Sequence, residues 1–109
     1  MAGLAKRLRT DLAQALRDRD MARAKVLRTT LAAIGNAEAV EGVSSVEGVV
    51  GYGDVTRREL SDEDVAGVIG REIDEWETAH AEYVRIGHVE RAEVLRQELE
   101  VLRGYVGPG

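Results

Sequence analysis

The clearest pattern along the chain is helical. Apolar residues recur at intervals of three or four, the spacing that places them on one face of an α-helix. The pattern predicts four helices, at about residues 2–17, 21–41, 62–86 and 89–106. In the second helix, small or apolar residues lie on nearly every face between Val26 and Val40. Such a helix is unstable when exposed to water, so we expect it to pack against other helices or against a second copy of the chain.

Residues that favour helix ends mark three of these boundaries. Asp20 and Ser61 are placed to cap the second and third helices, and Asp64 follows Ser61 at the spacing of a capping motif. Gly87 supplies the left-handed residue with which helices commonly end. The connections within each helix pair are therefore short, and short connections join antiparallel helices.

The third and fourth helices carry facing apolar seams. The seam positions alternate by three and four residues, as in coiled coils. They are Ile69, Ile73, Trp76, His80 and Tyr83 in helix three, and Ala92, Leu95, Leu99, Leu102 and Val106 in helix four. We expect an all-α fold in which two antiparallel helical hairpins form a four-helix bundle. Trp76 and Tyr83 are then core residues rather than a platform on which bases stack.

The segment between helices two and three has a different composition. Four glycines lie between Gly42 and Gly53, with valines around them. Glycine at this density favours a loop over residues 42–60, and a small β-hairpin is the alternative. Arg57 and Arg58 at its end are candidate contacts for a partner.

Length and composition limit the classes of protein to consider. With 109 residues, we expect one domain over residues 1–109. The chain has no cysteine, which excludes disulfides and thiolate metal sites. No apolar run approaches the roughly 18 residues that span a bilayer, and the first residues lack the apolar core of a signal peptide. We therefore expect a cytoplasmic protein that has no membrane contact and binds no cofactor.

Charge is distributed unevenly along the sequence. Residues 1–35 carry eight lysines or arginines and three acidic residues, whereas the remainder carries seven and seventeen. A basic half can attract a polyanion such as RNA, and the candidate contacts in it are Arg7, Arg9, Arg23 and Lys25. The alternative is that the basic helices complement the acidic helices, within one chain or across a dimer through helix two. We favour this alternative, because no aromatic or glycine-rich motif for reading RNA accompanies the charge.

Few residues have the spacing of a catalytic or metal site. Glu77 and His80 form a Glu-x-x-His pair, which binds iron in some helical bundles when a second pair and two further carboxylates are present. Here the second pair is missing, and Glu72 is the only other acid near that seam. We favour a hydrogen-bonded, partly buried histidine over a metal ligand. No motif for an activated nucleophile occurs, so we expect no catalytic residue.

Three blocks of sequence carry a resemblance to a known family. They are LAQALRDRDMARAKVLRTTLAAIGNAEAV, RRELSDEDVAGVIGREIDE and EYVRIGHVERAEVLRQELEVLRGYV, in that order. Together they resemble the YqeY-like proteins, which are related to the C-terminal tail of the B subunit of aspartyl/glutamyl-tRNA amidotransferase. We expect a short form that lacks the small C-terminal helical part of longer members. The matched motif residues are Arg28, Asn36, Glu38, Arg71 and Glu72. Their role could be structural, with Arg28 pairing with an acid of helix three or four.

The resemblance implies a helical fold and an association with tRNA. Amide transfer in the amidotransferase belongs to other domains and subunits, so we expect a non-catalytic binding module that contacts tRNA or a tRNA-processing enzyme. The alternative that the resemblance implies is an accessory role in glutamine-dependent amidation, under the label of a carbon-nitrogen ligase.

Overall fold

The computed structural model describes residues 3–45 and 60–106. Within these ranges the chain forms four α-helices and no strand, which confirms the all-α prediction. The helices are α1 (Leu4–Arg17), α2 (Met21–Ser45), α3 (Asp62–Arg85) and α4 (Val89–Val106). Residues 42–45, predicted as loop, are instead the end of α2. The rest of the predicted loop or β-hairpin, with Arg57 and Arg58, lies outside the described residues apart from Leu60.

The helix ends predicted at Asp20, Ser61 and Gly87 have the expected capping residues in the structure. The Ser61 hydroxyl accepts a hydrogen bond from the Asp64 amide at 3.1 Å, and the Asp20 carboxylate accepts one from the Arg23 amide at 3.1 Å. Gly87 has a φ of +84°, in the left-handed region. Arg19, in the turn between α1 and α2, is also left-handed with a φ of +57°, although its side chain disfavours that conformation.

The start of α1 is capped by a residue from another helix. Gly3, which precedes α1, has no side chain to accept a hydrogen bond. The amide of Leu4 donates instead to Asp62 Oδ1 at 3.0 Å. A Cβ atom at position 3 would lie 2.6 Å from that oxygen, so any other residue there would displace the Asp62 carboxylate from this position. The first turns of α1 and α3 therefore meet at this point.

One hydrophobic core joins the four helices. α1 packs mainly on α2 and α3 mainly on α4, while α2 also contacts both α3 and α4. The buried residues of the core are Leu8, Val26, Leu27, Ile34, Val65, Val68, Ile69, Ile73, Leu99, Leu102 and Tyr105. Trp76 is half-buried and packs against this core, in agreement with the prediction.

The seam of α4 differs from the prediction at its last position. Val106 is 36% exposed, whereas Tyr105 is only 8% exposed and belongs to the core. Tyr105 lies three residues after Leu102, and its hydroxyl reaches an acceptor on α1. The hydrogen bond offsets the free-energy cost of burying the polar hydroxyl of Tyr105.

The apolar second helix is largely covered by its neighbours. Val26, Leu27 and Ile34 are buried, and Leu31 packs against the core. Ala32, on the opposite side, is exposed. Between residues 21 and 39, where burial is described, the other three helices thus cover much of the apolar surface of α2.

Candidate functional site

The Glu-x-x-His pair, for which the sequence favours a structural role over a metal site, lies on α3. Glu77 of α3 forms an ion pair with Arg103 of α4, and His80 is half-buried between the two helices. Across residues 3–45 and 60–106, no group of three or more histidines and carboxylates is arranged to hold a metal ion. The charged side chains of α1 and α2, in contrast, form a cluster with a residue of α4.

Four side chains from three helices form a cluster around Tyr105, which we call the tyrosine cluster: Arg7, Asp11, Arg23 and Tyr105. The Tyr105 hydroxyl donates to Asp11 Oδ2 at 2.5 Å. It also accepts from Arg23 Nη2 at 3.4 Å, and Arg23 lies 4.0 Å from the same Asp11 oxygen. The guanidinium of Arg7 lies 4.7 Å from the centre of the Tyr105 ring, at cation–π distance.

The environment of this cluster keeps Tyr105 protonated. Burial, the hydrogen bond to Asp11 and the negative charge of Asp11 together raise the pKa of Tyr105 to about 12, against the opposing effect of the two arginines. Tyr105 is therefore a neutral hydrogen-bond donor to a carboxylate. Such bonds are stronger than those between neutral groups. The tyrosine cluster fastens the end of α4 to α1 and α2.

Three of the predicted RNA contacts in α1 and α2 have partners within the chain. Arg7 and Arg23 belong to the tyrosine cluster, and Lys25 Nζ lies 3.7 Å from Glu98 Oε2 of α4. Lys25 remains 72% exposed, so its pair with Glu98 contributes little to stability. Of these contacts, the Lys25–Glu98 pair joins a basic helix to an acidic one, as the alternative prediction requires, whereas Arg23 pairs with Asp11 of the basic helix α1 and Arg7 contacts the neutral Tyr105 ring. Arg9 is exposed and forms no ion pair with the described residues.

The exposed face of α1 carries further basic residues. Lys6 and Arg17 lie opposite the buried Leu8 and Ala15, and both are exposed. Lys6 forms no ion pair within residues 3–45 and 60–106, and Arg17 donates to the neutral Gln14 at 2.8 Å. We call Lys6, Arg9 and Arg17 the α1 basic face. Sequence reasoning missed Lys6 and Arg17, although their spacing from the apolar residues of α1 already places them on the outer side.

A depression opens beside the α1 basic face. It has a volume of about 490 Å³ and is lined by Gly3, Leu4, Lys6, Arg7, Thr10, Asp11 and Asp62. Both acids in its wall have hydrogen-bond donors of the chain beside them: Asp11 contacts Tyr105, and Asp62 accepts from Leu4. Lys6 and Thr10 are exposed donors in the same wall. The depression therefore presents cations and a hydroxyl next to two carboxylates.

A second groove, of about 200 Å³, separates the start of α2 from α4. Its apolar wall includes Ala22, Val26, Val94 and Val101. Asp20, Arg23, Gln97 and Glu98 supply the polar part of its lining. Val94 is 48% exposed.

The predicted motif residues have separate positions. Arg28, Asn36 and Arg71 are exposed, and Glu38 is half-buried. The expected pairing of Arg28 with an acid of α3 or α4 was wrong for the described residues, because the Arg28 side chain faces outward and no carboxylate lies within 4.0 Å. These motif residues do not form one site.

Glu72 has a structural contact instead. Its Oε1 accepts a hydrogen bond from the hydroxyl of Thr30, a fully buried residue of α2, at 2.8 Å. Burial raises the pKa of Glu72, the Thr30 hydrogen bond opposes that rise, and the nearby charge of Glu75 adds to it. The Thr30–Glu72 contact satisfies a buried hydroxyl and links α2 to α3.

None of the described helices is both long enough and apolar enough to cross a membrane.

A protein-family model described as Yqey-like protein matches residues 5–108. Comparison with curated proteins found no match, and neither did comparison with solved structures.

Proposed function

The chain belongs to the YqeY-like protein family, and on that premise we propose that it is a non-catalytic helical module that contacts tRNA. The observation that carries the proposal is the α1 basic face, where Lys6, Arg9 and Arg17 are exposed without a carboxylate partner in the described residues. Cations that no acid neutralises can displace the counterions of a nucleic acid, the main source of its affinity for proteins.

The structure changes which residues should be tested. Arg7 and Arg23 hold the tyrosine cluster, so their removal would confuse a loss of binding with a loss of stability. Lys6 and Arg9 have no such role in the described residues. The variant to make is therefore the double substitution Lys6→Gln and Arg9→Gln.

The test is the salt dependence of tRNA binding, measured by fluorescence anisotropy between 50 and 200 mM salt. Each phosphate contact adds roughly 0.9 to the slope of log K against log salt for duplex nucleic acid, so the double variant should reduce the slope by about 1 to 2. The matched control is Arg71→Gln with Arg91→Gln, two exposed arginines of α3 and α4 that form no ion pair with the described residues, so the net charge changes equally. Absence of salt-sensitive binding by the natural sequence at low ionic strength would reject the proposal.

Two further proposals accompany it. The family resemblance supports an accessory role in glutamine-dependent amidation as the alternative function, with a tRNA-processing enzyme as partner. This role requires the rate of ammonia transfer to rise when the chain is added to a cognate amidotransferase, and an unchanged rate would reject it. Both functions go with a cytoplasmic location, and α2 remains the proposed surface if the chain forms a homodimer.

A further inference from the structure

We propose that the depression at the start of α1 binds a ribonucleoside phosphate unit. Where that unit is part of an RNA chain, the proposal rests on the proposed function. Its wall combines two kinds of group that such a ligand needs. Lys6, Arg7 and Thr10 can donate hydrogen bonds to phosphate oxygens, and Asp62 can accept one from a ribose hydroxyl.

The cationic side of the site is built on successive turns of one helix. Lys6 and Thr10 are four residues apart on α1, so their side chains project next to each other. Arg7 adjoins them, and its position over the Tyr105 ring holds the guanidinium beside the depression. A phosphate bound there would contact two positive charges and a hydroxyl.

Of the two acids in the wall, Asp11 already accepts from Tyr105, and Asp62 supplies the acceptor that a ribose hydroxyl can use. Asp62 uses Oδ1 to accept from the Leu4 amide, and this bond fixes the carboxylate in the wall of the depression. Its second oxygen, Oδ2, is an acceptor for a hydroxyl. The 2′-hydroxyl of ribose is the group by which proteins distinguish RNA from DNA. The volume of about 490 Å³ lies within the range of small-molecule pockets.

The experiment measures binding of three probes to the full chain by anisotropy or competition at 50 mM salt. The probes are a single-stranded RNA 12-mer, a DNA 12-mer of the same sequence, and a ribonucleoside monophosphate. We expect RNA to bind about fivefold more tightly than DNA, the factor that corresponds to one hydrogen bond of ~1 kcal/mol. The monophosphate should compete with RNA, because the proposed site holds one ribonucleoside phosphate unit.

Three variants locate the site. Thr10→Val should weaken RNA binding about fivefold, whereas Thr29→Val, an exposed threonine on α2, should leave it unchanged. Lys6→Gln should weaken RNA and DNA equally. Asp62→Asn keeps an oxygen for the Leu4 amide but replaces Oδ2 with a donor, so the preference for RNA over DNA should disappear. Loss of the charge at the starts of α1 and α3 should lower the melting temperature only slightly.

The outcomes separate this site from the proposed function. If RNA and DNA bind equally to the natural sequence, or if Thr10→Val behaves as Thr29→Val does, the site is rejected and a tRNA contact elsewhere on α1 stands. If RNA does not bind but the monophosphate binds in a Thr10-dependent manner, the site stands and the tRNA proposal fails. If neither probe binds, both are rejected.

Discussion

Replacing Tyr105 with phenylalanine tests whether the tyrosine cluster holds the helices together. The substitution removes one oxygen and keeps the ring, so the packing against the core and the contact with Arg7 are retained. What is lost is the hydrogen bond to Asp11 at 2.5 Å and the longer one from Arg23 at 3.4 Å. The structure therefore predicts a loss of stability that comes almost entirely from the hydroxyl.

The expected loss is about 2 kcal/mol in the free energy of unfolding. A hydrogen bond to a charged group contributes about 1.5–3 kcal/mol, and the bond from Arg23 is long enough to add little. The Arg23–Asp11 ion pair survives the substitution, and it is worth at most about 1 kcal/mol because its side chains are 41% and 30% exposed. At roughly 4 °C per kcal/mol for a chain of this size, the melting temperature should fall by about 8 °C.

Urea unfolding followed by circular dichroism measures this loss. Tyr83→Phe is the matched control, because Tyr83 is half-buried between α3 and α4 and its hydroxyl forms no hydrogen bond with the described residues. A double-mutant cycle with Asp11→Asn isolates the pairwise energy. If Tyr105→Phe destabilises the protein no more than Tyr83→Phe does, the cluster is not a fastening point and the reasoning is wrong.

The same residue predicts an effect of alkaline pH. Tyr105 keeps its proton in the folded state up to a pKa of about 12, against 10.0 in the unfolded chain. The folded state therefore binds more protons between these values, and the stability contributed by Tyr105 is lost as the pH rises from 10 to 12. Tyr105→Phe should remove this part of the alkaline decline, which pH-dependent urea titrations can measure.

For three further substitutions the structure predicts the direction of the change in stability, which urea or thermal unfolding measures. Glu72→Gln keeps an acceptor for Thr30 but removes a carboxylate whose pKa is raised above 4.5 by burial. Because of that raised pKa, the stability of the natural sequence falls as the pH increases through the folded-state pKa. The variant should therefore be more stable at pH 7, and its stability should vary less between pH 4 and 7. Arg19→Gly relieves a left-handed φ of +57° and should raise stability by about 1 kcal/mol, and a loss would show that the Arg19 side chain contributes more than its backbone conformation costs. Gly87→Ala places a side chain at a φ of +84° and should lower stability by about 1 kcal/mol, whereas an unchanged midpoint would mean that the turn relaxes.

The helices could be predicted because their signals are local. The spacing of apolar residues and the caps at Asp20, Ser61 and Gly87 act within a few residues of each boundary, and the structure contains all three. Local signals failed at the end of α2. There, glycine and serine favoured a loop over residues 42–45 that are helical.

The contacts between distant residues left no local signal. The alternation of three and four favours Val106 for the α4 seam, whereas burial of Tyr105 brings its hydroxyl to Asp11, which is 94 residues away in the sequence. Arg7 and Arg23 also contact Tyr105, which is distant in the sequence, so the sequence alone does not show that these two arginines have partners. The pairing of Thr30 with Glu72 and the capping of Leu4 by Asp62 likewise depend on the arrangement of whole helices.

The capping of α1 by Asp62 has a consequence for how the protein is made. During synthesis the amino-terminal helix leaves the ribosome long before residue 62 does, and the Leu4 amide must then be hydrated by water. Only when the third helix docks does that amide find its protein acceptor, beside Gly3, whose missing side chain leaves room for the carboxylate. The first turn of α1 is therefore completed by a residue of α3, and the nascent first helix should fray until that later part of the chain has been translated.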